Sequence, residues 1–92
     1  MAHVRFTANI QRHVACPPED VEGATLGAVL DAYFVRHPAA RGYVLDDQGR
    51  VRKHMAVFIG GRQLEDRRGL ADPVGPDEAV DVVQSLSGGA TS

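Results

Sequence analysis

A single amphipathic helix lies between segments of extended character in this sequence. From residue 26 to residue 34, apolar side chains recur at intervals of three and four, which is the period of a helix that buries one face. These side chains are Leu26, Val29, Leu30, Tyr33 and Phe34. Thr25 is placed to cap the N-terminus, and Pro38 predicts that the helix ends near Arg36-His37. Because no second helix is indicated, a sheet must cover the buried face.

Two strands are predicted before the helix. Val4, Phe6 and Ala8 alternate with polar residues, the period of a strand that buries one face. Extended character returns over residues 13–16 and stops at Pro17-Pro18, because proline lacks the amide hydrogen that a sheet ladder needs. We therefore expect an N-terminal hairpin.

Further strands are predicted after the helix, over residues 43–45, 52–59 and 79–86. Gly60-Gly61 supplies the permissive backbone of a tight turn into residues 62–64, which completes a second hairpin. This order of elements predicts an α+β fold of the β-grasp (ubiquitin-like) type. Such a fold is a mixed sheet of four to five strands with one main helix across one face.

The length of the chain bounds its domain organisation. With 92 residues, there is enough apolar material for one core. We predict a β-grasp domain over residues 1–86. A flexible C-terminal tail is predicted over residues 87–92, because no apolar residue of appreciable size follows Leu86.

Charge and hydropathy argue against two classes of partner. The net charge is −2 and the isoelectric point is near 6.0, so a nucleic acid would meet no compensating positive field. No apolar run approaches the ~20 residues of a membrane span, and the N-terminus lacks the apolar stretch of a signal peptide. We expect a cytoplasmic protein that binds neither nucleic acid nor membranes.

Thiol and metal chemistry are not indicated. The lone Cys16 cannot form an internal disulfide and has no activating base nearby in sequence, so we interpret it as a small, half-buried hydrophobic residue. The four histidines lie on separate predicted segments without the spacing of a zinc site. They are His3, His13, His37 and His54. We expect no metal site.

Strand alternation predicts a sheet face that the helix leaves open. The residues on this open face are Arg5, Thr7, Ala56, Phe58, Asp81, Val83 and Ser85. An aromatic side chain beside a branched aliphatic one is typical of an interface centre, and we predict partner binding there. The predicted partner-binding residues are Phe58, Val83, Thr7 and Arg5. The alternative is that loops cover the face, and Gln84, on the inward face, departs from the pattern.

Four acidic residues gather near the last predicted strand. They are Asp72, Asp77, Glu78 and Asp81. Such a group is either part of a solvated loop or a docking surface for a basic groove on a partner. The sequence leaves both interpretations open.

Two segments near the C-terminus carry a family resemblance. Gly75-Pro76-Asp77-Glu78 leads into the last predicted strand, and Gly88-Gly89 stands just past it. With this order of elements, residues 23–89 resemble the MoaD/ThiS family of ubiquitin-like sulfur carriers. The resemblance implies that the Gly89 carboxylate, presented by Gly88-Gly89, is adenylated by an E1-like enzyme of the MoeB/ThiF type. It also implies conversion to a thiocarboxylate, which donates sulfur to an accepting biosynthetic enzyme that makes cysteine or a sulfur-containing cofactor or metabolite.

The same resemblance assigns the chemistry to the partners. It implies a carrier that is not itself an enzyme and binds no cofactor, while ATP and magnesium are used by the activating partner. Two glycines without Cβ atoms suit a tail that must thread a narrow channel. This chain continues past Gly89, so the resemblance implies that Ala90, Thr91 and Ser92 are a cap removed by a JAMM-type zinc metalloprotease. An inactive paralogue or a cloning remnant would also explain these residues.

Two other functions remain open from the sequence. One is a MoaD-like small subunit of molybdopterin synthase, in which the tail inserts permanently into a larger catalytic partner. The other is a ubiquitin-like modifier that forms isopeptide bonds with lysines. Lys53 is the only lysine, and we predict it on a strand, so chain building on the protein itself is disfavoured.

Overall fold

A computed structural model describes residues 1–84, which form one mixed five-stranded sheet with three helices. The sheet order is β2-β1-β5-β3-β4. The strands are β1 (Ala2–Phe6), β2 (Glu19–Val21), β3 (Met55–Ile59), β4 (Arg62–Gln63) and β5 (Ala79–Gln84). β1 and β5 are parallel, and the other neighbouring pairs are antiparallel. This mixed sheet confirms the predicted β-grasp fold.

The main helix lies where the apolar stripe predicts it. The helices are α1 (Ala8–Gln11), α2 (Leu26–Arg36) and α3 (Pro38–Val44). The Thr25 side chain accepts a hydrogen bond from the Ala28 N–H at 3.3 Å, which satisfies one of the free amides at the start of α2. All five residues of the predicted stripe are buried, so α2 is the cover of the sheet.

The core lies between α2 and the inward face of the sheet. Tyr33 packs on Phe6 with ring centroids 5.0 Å apart, and its hydroxyl donates to the Pro17 carbonyl at 2.8 Å. Burial raises the pKa of the Tyr33 hydroxyl and of the Cys16 thiol. Cys16 is 2% exposed, so it packs as a hydrophobic residue, as predicted, but is buried more deeply than the half-buried position expected from the sequence.

The N-terminal hairpin forms with a different second strand from the one predicted. Residues 13–16 are not a strand; β2 is Glu19–Val21, and it pairs antiparallel with β1. Pro17-Pro18 therefore precedes the second strand, a position at a sheet edge where proline is tolerated. The first strand ends at Phe6 because α1 follows and places Ile10 in the core.

The strand predicted over residues 43–45 is wrong. Pro38 both follows α2 and occupies the first turn of α3, where its fixed φ suits a helix. Ala40 and Val44 are buried one turn apart, and Leu45 makes only an isolated bridge to Val51.

The hairpin after β3 is confirmed. Gly60 and Gly61 have φ values of 57° and 88°, which a residue with a Cβ rarely adopts. β3 is shorter than predicted, because Lys53 and His54 form a turn before Met55. The predicted division at residue 86 lies outside the described residues. No helix within residues 1–84 has the length and apolarity needed to cross a membrane.

Candidate functional site

The open face of the sheet carries its residues in two registered rows. Arg5 lies opposite Asp81, which lies opposite Phe58 on the next strand. One row further on, Val83 lies opposite Ala56. The residues between them in sequence are buried, so the alternation places the two sheet faces correctly.

A shallow depression of about 560 Å³ lies on this face. Phe58 and Val83 line it together with Thr7 and Gly61, and both apolar side chains are half-buried. Part of each side chain therefore stays accessible, so no loop among residues 1–84 covers the face completely. An accessible aromatic ring beside a branched aliphatic side chain is suited to apolar contact with another protein.

Arg5 and Asp81 form a two-pronged ion pair beside this depression. The Arg5 Nε donates to Asp81 Oδ1 at 2.7 Å, and Nη2 donates to Oδ2 at 2.9 Å. The hydrogen bond and charge of Asp81 raise the pKa of Arg5. Because the pair is internally neutral, the carboxylate does not leave an uncompensated charge next to the apolar residues.

Thr7 contributes its backbone and its shape to the open face, but not an accessible hydroxyl group. Its N–H donates to the Val82 carbonyl at 3.2 Å, which extends the pairing of β1 with β5. Its Oγ1 is buried and has no hydrogen-bond partner among residues 1–84. A partner would therefore meet the shape of this residue and not its hydroxyl.

The open face borders the end of β5 that leads to the predicted tail. Gln84 pairs with Met55, and its Oε1 accepts from Asn9 Nδ2 at 3.1 Å. This bond to α1 explains how a glutamine is accommodated at a half-buried position. Gly88, Gly89 and the predicted cap of Ala90, Thr91 and Ser92 lie outside the described residues. Since Gly89 is five positions beyond Gln84, covalent geometry limits their separation to about 17 Å.

The acidic residues near β5 form hydrogen bonds with different partners and do not act as one group. Asp72 accepts from the N–H groups of Glu65 and Asp66 at 2.9 and 3.0 Å. Glu78 accepts from the Gly75 N–H at 2.8 Å and from Arg62 at 3.1 Å. These bonds, the Gly75 N–H foremost, lower the pKa of Glu78. For Asp72 and Glu78, these contacts favour a structural role in their loops over a docking surface. Asp81 lies on β5 and is paired with Arg5, and Asp77 is exposed, with the N-terminal amine 3.4 Å from its Oδ1.

The histidines remain on separate elements. His3 Nδ1 lies 2.6 Å from Asp20 Oδ1, and His37 Nε2 lies 2.8 Å from Glu19 Oε2. The His37 contact is the main cause of a lowered pKa for Glu19. Within residues 1–84, no three His, Cys, Asp or Glu side chains come together as metal ligands.

Two features of the surface were not predicted. Lys53 lies in an exposed turn, so the prediction that it lies on a strand is wrong. Lys53 also belongs to a group of positive side chains from two loops that are separate in sequence. Only the folded chain brings those loops together.

Comparison with known proteins gives matches by structure alone. No protein-family model matches the sequence, and no curated protein matches it. SAMP1 from Haloferax volcanii is 26% identical, with a TM-score of 0.74 over 94% of this chain and 96% of that chain. The Amycolatopsis orientalis BexX/CysO complex contains a chain that is 14% identical, with a TM-score of 0.80 over 94% and 97%. Urm1 from Trypanosoma brucei is 16% identical, with a TM-score of 0.66 over 92% and 91%.

These neighbours confirm the resemblance predicted from the sequence. They are ubiquitin-like carrier and modifier proteins, and the chain shares their β-grasp fold over nearly its whole length. The likeness supports a role as a carrier or modifier, and none of the three neighbours is named as an enzyme.

Proposed function

We propose that the protein is a sulfur carrier that works through the carboxylate of Gly89. After removal of residues 90–92, an E1-like enzyme of the MoeB/ThiF type would use ATP and magnesium to activate this carboxylate. The carboxylate oxygen attacks the α-phosphorus of ATP, and pyrophosphate leaves. A sulfide donor then attacks the acyl carbon and AMP leaves, so that Gly89 ends in a thiocarboxylate.

One combined observation supports this proposal most strongly. A β-grasp domain shared with carrier and modifier proteins is followed by Gly88-Gly89 a few residues beyond β5. A carrier of this kind needs no catalytic side chain, because its reactive group is its own chain end. The thiocarboxylate would serve an accepting enzyme that makes cysteine or a sulfur-containing cofactor or metabolite.

The open face supplies the surface on which such a partner would dock. Phe58 and Val83 are accessible there, and Val83 immediately precedes Gln84, the last described residue of β5. CysO occurs in a solved complex with BexX, which supports function through a protein partner. Docking beside the origin of the tail would direct Gly89 to the adenylating centre.

The proposal is tested by the mass of the intact protein after incubation with the activating enzyme, ATP and sulfide. A chain ending at Gly89 should gain the mass that corresponds to replacing one oxygen by one sulfur, whereas the full chain should not. The described core residues all lie between Ala2 and Val82, so removing residues 90–92 removes none of them. The same gain on the full chain would contradict the masking of Gly89, and no gain on the shortened chain would contradict the carrier function.

Removal of the cap is a separate step with its own test. A JAMM-type metalloprotease should release residues 90–92 and leave Gly89 as the C-terminus, and a zinc chelator should prevent the cleavage. Cleavage at another bond, or a cap that persists in cells producing thiocarboxylate, would contradict this step.

A second candidate function is protein modification. It is favoured by the likeness to SAMP1 at 26% identity, since SAMP1 denotes a small archaeal modifier protein. Both functions share activation of Gly89 and differ in the acceptor, which is a lysine amine for a modifier. Adducts joined through Gly89 to lysines of other proteins would dominate in cells if modification were the main role.

A further inference from the structure

Half of the positive side chains of the protein gather around one surface depression of about 310 Å³. We refer to them as the basic cluster: Arg50, Arg52, Lys53, Arg67 and Arg68. Asp46 is the one carboxylate among the described residues that line the depression. Because the whole protein carries a net charge of −2, the cluster is a local reversal of sign. Like charges held close together repel one another, and a facing anion would offset this repulsion.

Hydrogen bonds hold the loops of the basic cluster together, but they leave some of its positive side chains without a negatively charged partner within residues 1–84. The Arg67 Nη2 donates to the carbonyl of Arg52 at 2.6 Å and to that of Met55 at 2.7 Å. This guanidinium joins its loop to the start of β3. Asp46 is already occupied, since its Oδ2 accepts from Arg50 Nε at 3.0 Å. It cannot also neutralise the rest of the cluster.

Lys53 and Arg68 are the exposed cations of the cluster. Neither side chain forms a hydrogen bond or ion pair with another residue of the described range 1–84. By contrast, exposed Arg36 and Arg62 are paired with Glu19 and Glu78. The two unpaired side chains can therefore meet an external anion without breaking an internal contact.

The basic cluster lies near the point where the chain continues from β5 to the tail. Met55, whose carbonyl accepts from Arg67, is the register partner of Gln84. The cluster therefore lies at the end of the sheet from which the chain continues to Gly89. An enzyme acting on Gly89 would come within about 17 Å of Gln84, so the part of that enzyme around its active-site channel would lie near this end of the sheet.

We propose that the basic cluster docks on an acidic surface of the activating enzyme beside the entrance to its active-site channel. This inference rests on the proposed carrier function and specifies the chemistry of the partner's surface. A nucleic acid is disfavoured, because outside the cluster this protein has an excess of negative charge that would repel a phosphate backbone. A protein partner can present acidic groups to the cluster and apolar groups to the open face.

The test compares two double variants with the same change in net charge, each in the chain ending at Gly89. Lys53→Gln with Arg68→Gln removes the free cations of the cluster. Arg36→Gln with Arg62→Gln removes cations elsewhere: Arg36 contacts edge strand β2, and Arg62 pairs with Ile59 at the opposite end of β3 from Met55. Association with the activating enzyme is measured by stopped flow at ionic strengths of about 0.01 M and about 1 M.

The cluster variant should associate about tenfold more slowly at low ionic strength, because complementary charge acts mainly on the association rate. At high ionic strength its rate should approach that of the parent, and the control variant should stay close to the parent throughout. Equal slowing in both variants, or in neither, would overturn the inference. So would loss of binding to a single-stranded RNA oligonucleotide with unchanged association to the enzyme.

The activity of the parent chain separates this inference from the proposed function. If the parent chain ending at Gly89 receives sulfur and the cluster variant associates at the parent rate, only the acidic docking surface is refuted. If the parent chain itself neither binds nor reacts, the carrier function is refuted and the docking inference with it.

Discussion

Replacing Phe58 or Val83 by Asp is expected to weaken binding of the activating enzyme by about 2 kcal/mol or more. A half-buried phenylalanine retains on the order of 50 Å² for a partner to cover, which corresponds to about 1.3 kcal/mol at about 25 cal/mol per Å². An Asp in its place would also lose hydration without gaining a mate. A loss of about 2 kcal/mol corresponds to roughly a 30-fold rise in Kd.

The effect on folding must be separated from the effect on binding. Phe58 lies directly opposite Asp81, so an Asp at position 58 would place two carboxylates side by side and destabilise the sheet. Phe58→Ala avoids this repulsion and should still weaken binding by about 1.3 kcal/mol. Val83 lies opposite Ala56, so Val83→Asp does not place two carboxylates opposite each other and is the better charged variant.

Isothermal titration of the chain ending at Gly89 with the activating enzyme measures the change in Kd. Val35→Asp is the matched control, because Val35 is 82% exposed on α2 and does not belong to the open face. Its affinity should equal that of the parent. Unchanged affinity in both Phe58→Ala and Val83→Asp, with native circular dichroism, would refute the assignment of the open face as the docking surface.

Two further predictions concern the lone lysine and the response to acid. Lys53→Arg keeps the positive charge. It should leave sulfur delivery by the chain ending at Gly89 unchanged in a coupled assay, because activation of the carboxylate uses no amine. Loss of sulfur delivery, with the fold and the thiocarboxylate intact, would favour the modifier function. Asp66 accepts from the N–H groups of Gly69, Ala71 and Arg68, with that of Gly69 the main cause of a pKa below the ordinary value of 3.8. Its folded pKa is the lower one, so its contribution to stability is present above pH 3.8 and is lost as the pH falls further. Asp66→Asn should therefore reduce the acid dependence of the free energy of unfolding in urea titrations, and an unchanged dependence would contradict this role.

The elements that could be predicted from the sequence carry their signals locally. The α2 helix combines a cap at Thr25, a continuous apolar stripe and a proline stop at Pro38, and each of these acts within one or two turns. β2 has no comparable signal, because Glu19–Val21 contains only one buried residue. Its pairing depends on β1, which is a tertiary effect.

The candidate site could likewise be predicted only where its signal is local in sequence. Alternation alone places Phe58 and Val83 on one face, because the period of a strand is fixed. The Arg5–Asp81 pair could not be predicted, since it requires the parallel register of β1 with β5 across 76 positions of sequence. The basic cluster depends in the same way on contact between two loops, which Arg67 holds together.

The central position of β5 links these features to the proposed function. β5 lies between β1 and β3, and Gln84 at its end is bonded to Asn9 of α1. The point from which the chain continues to the tail is therefore fixed on both sides. The open face and the basic cluster both border this end of the sheet. Under the proposed function, an enzyme that bound both surfaces would fix the point from which Gly89 is delivered, so the alignment of the reacting carboxylate would be partly set before the tail enters the active site.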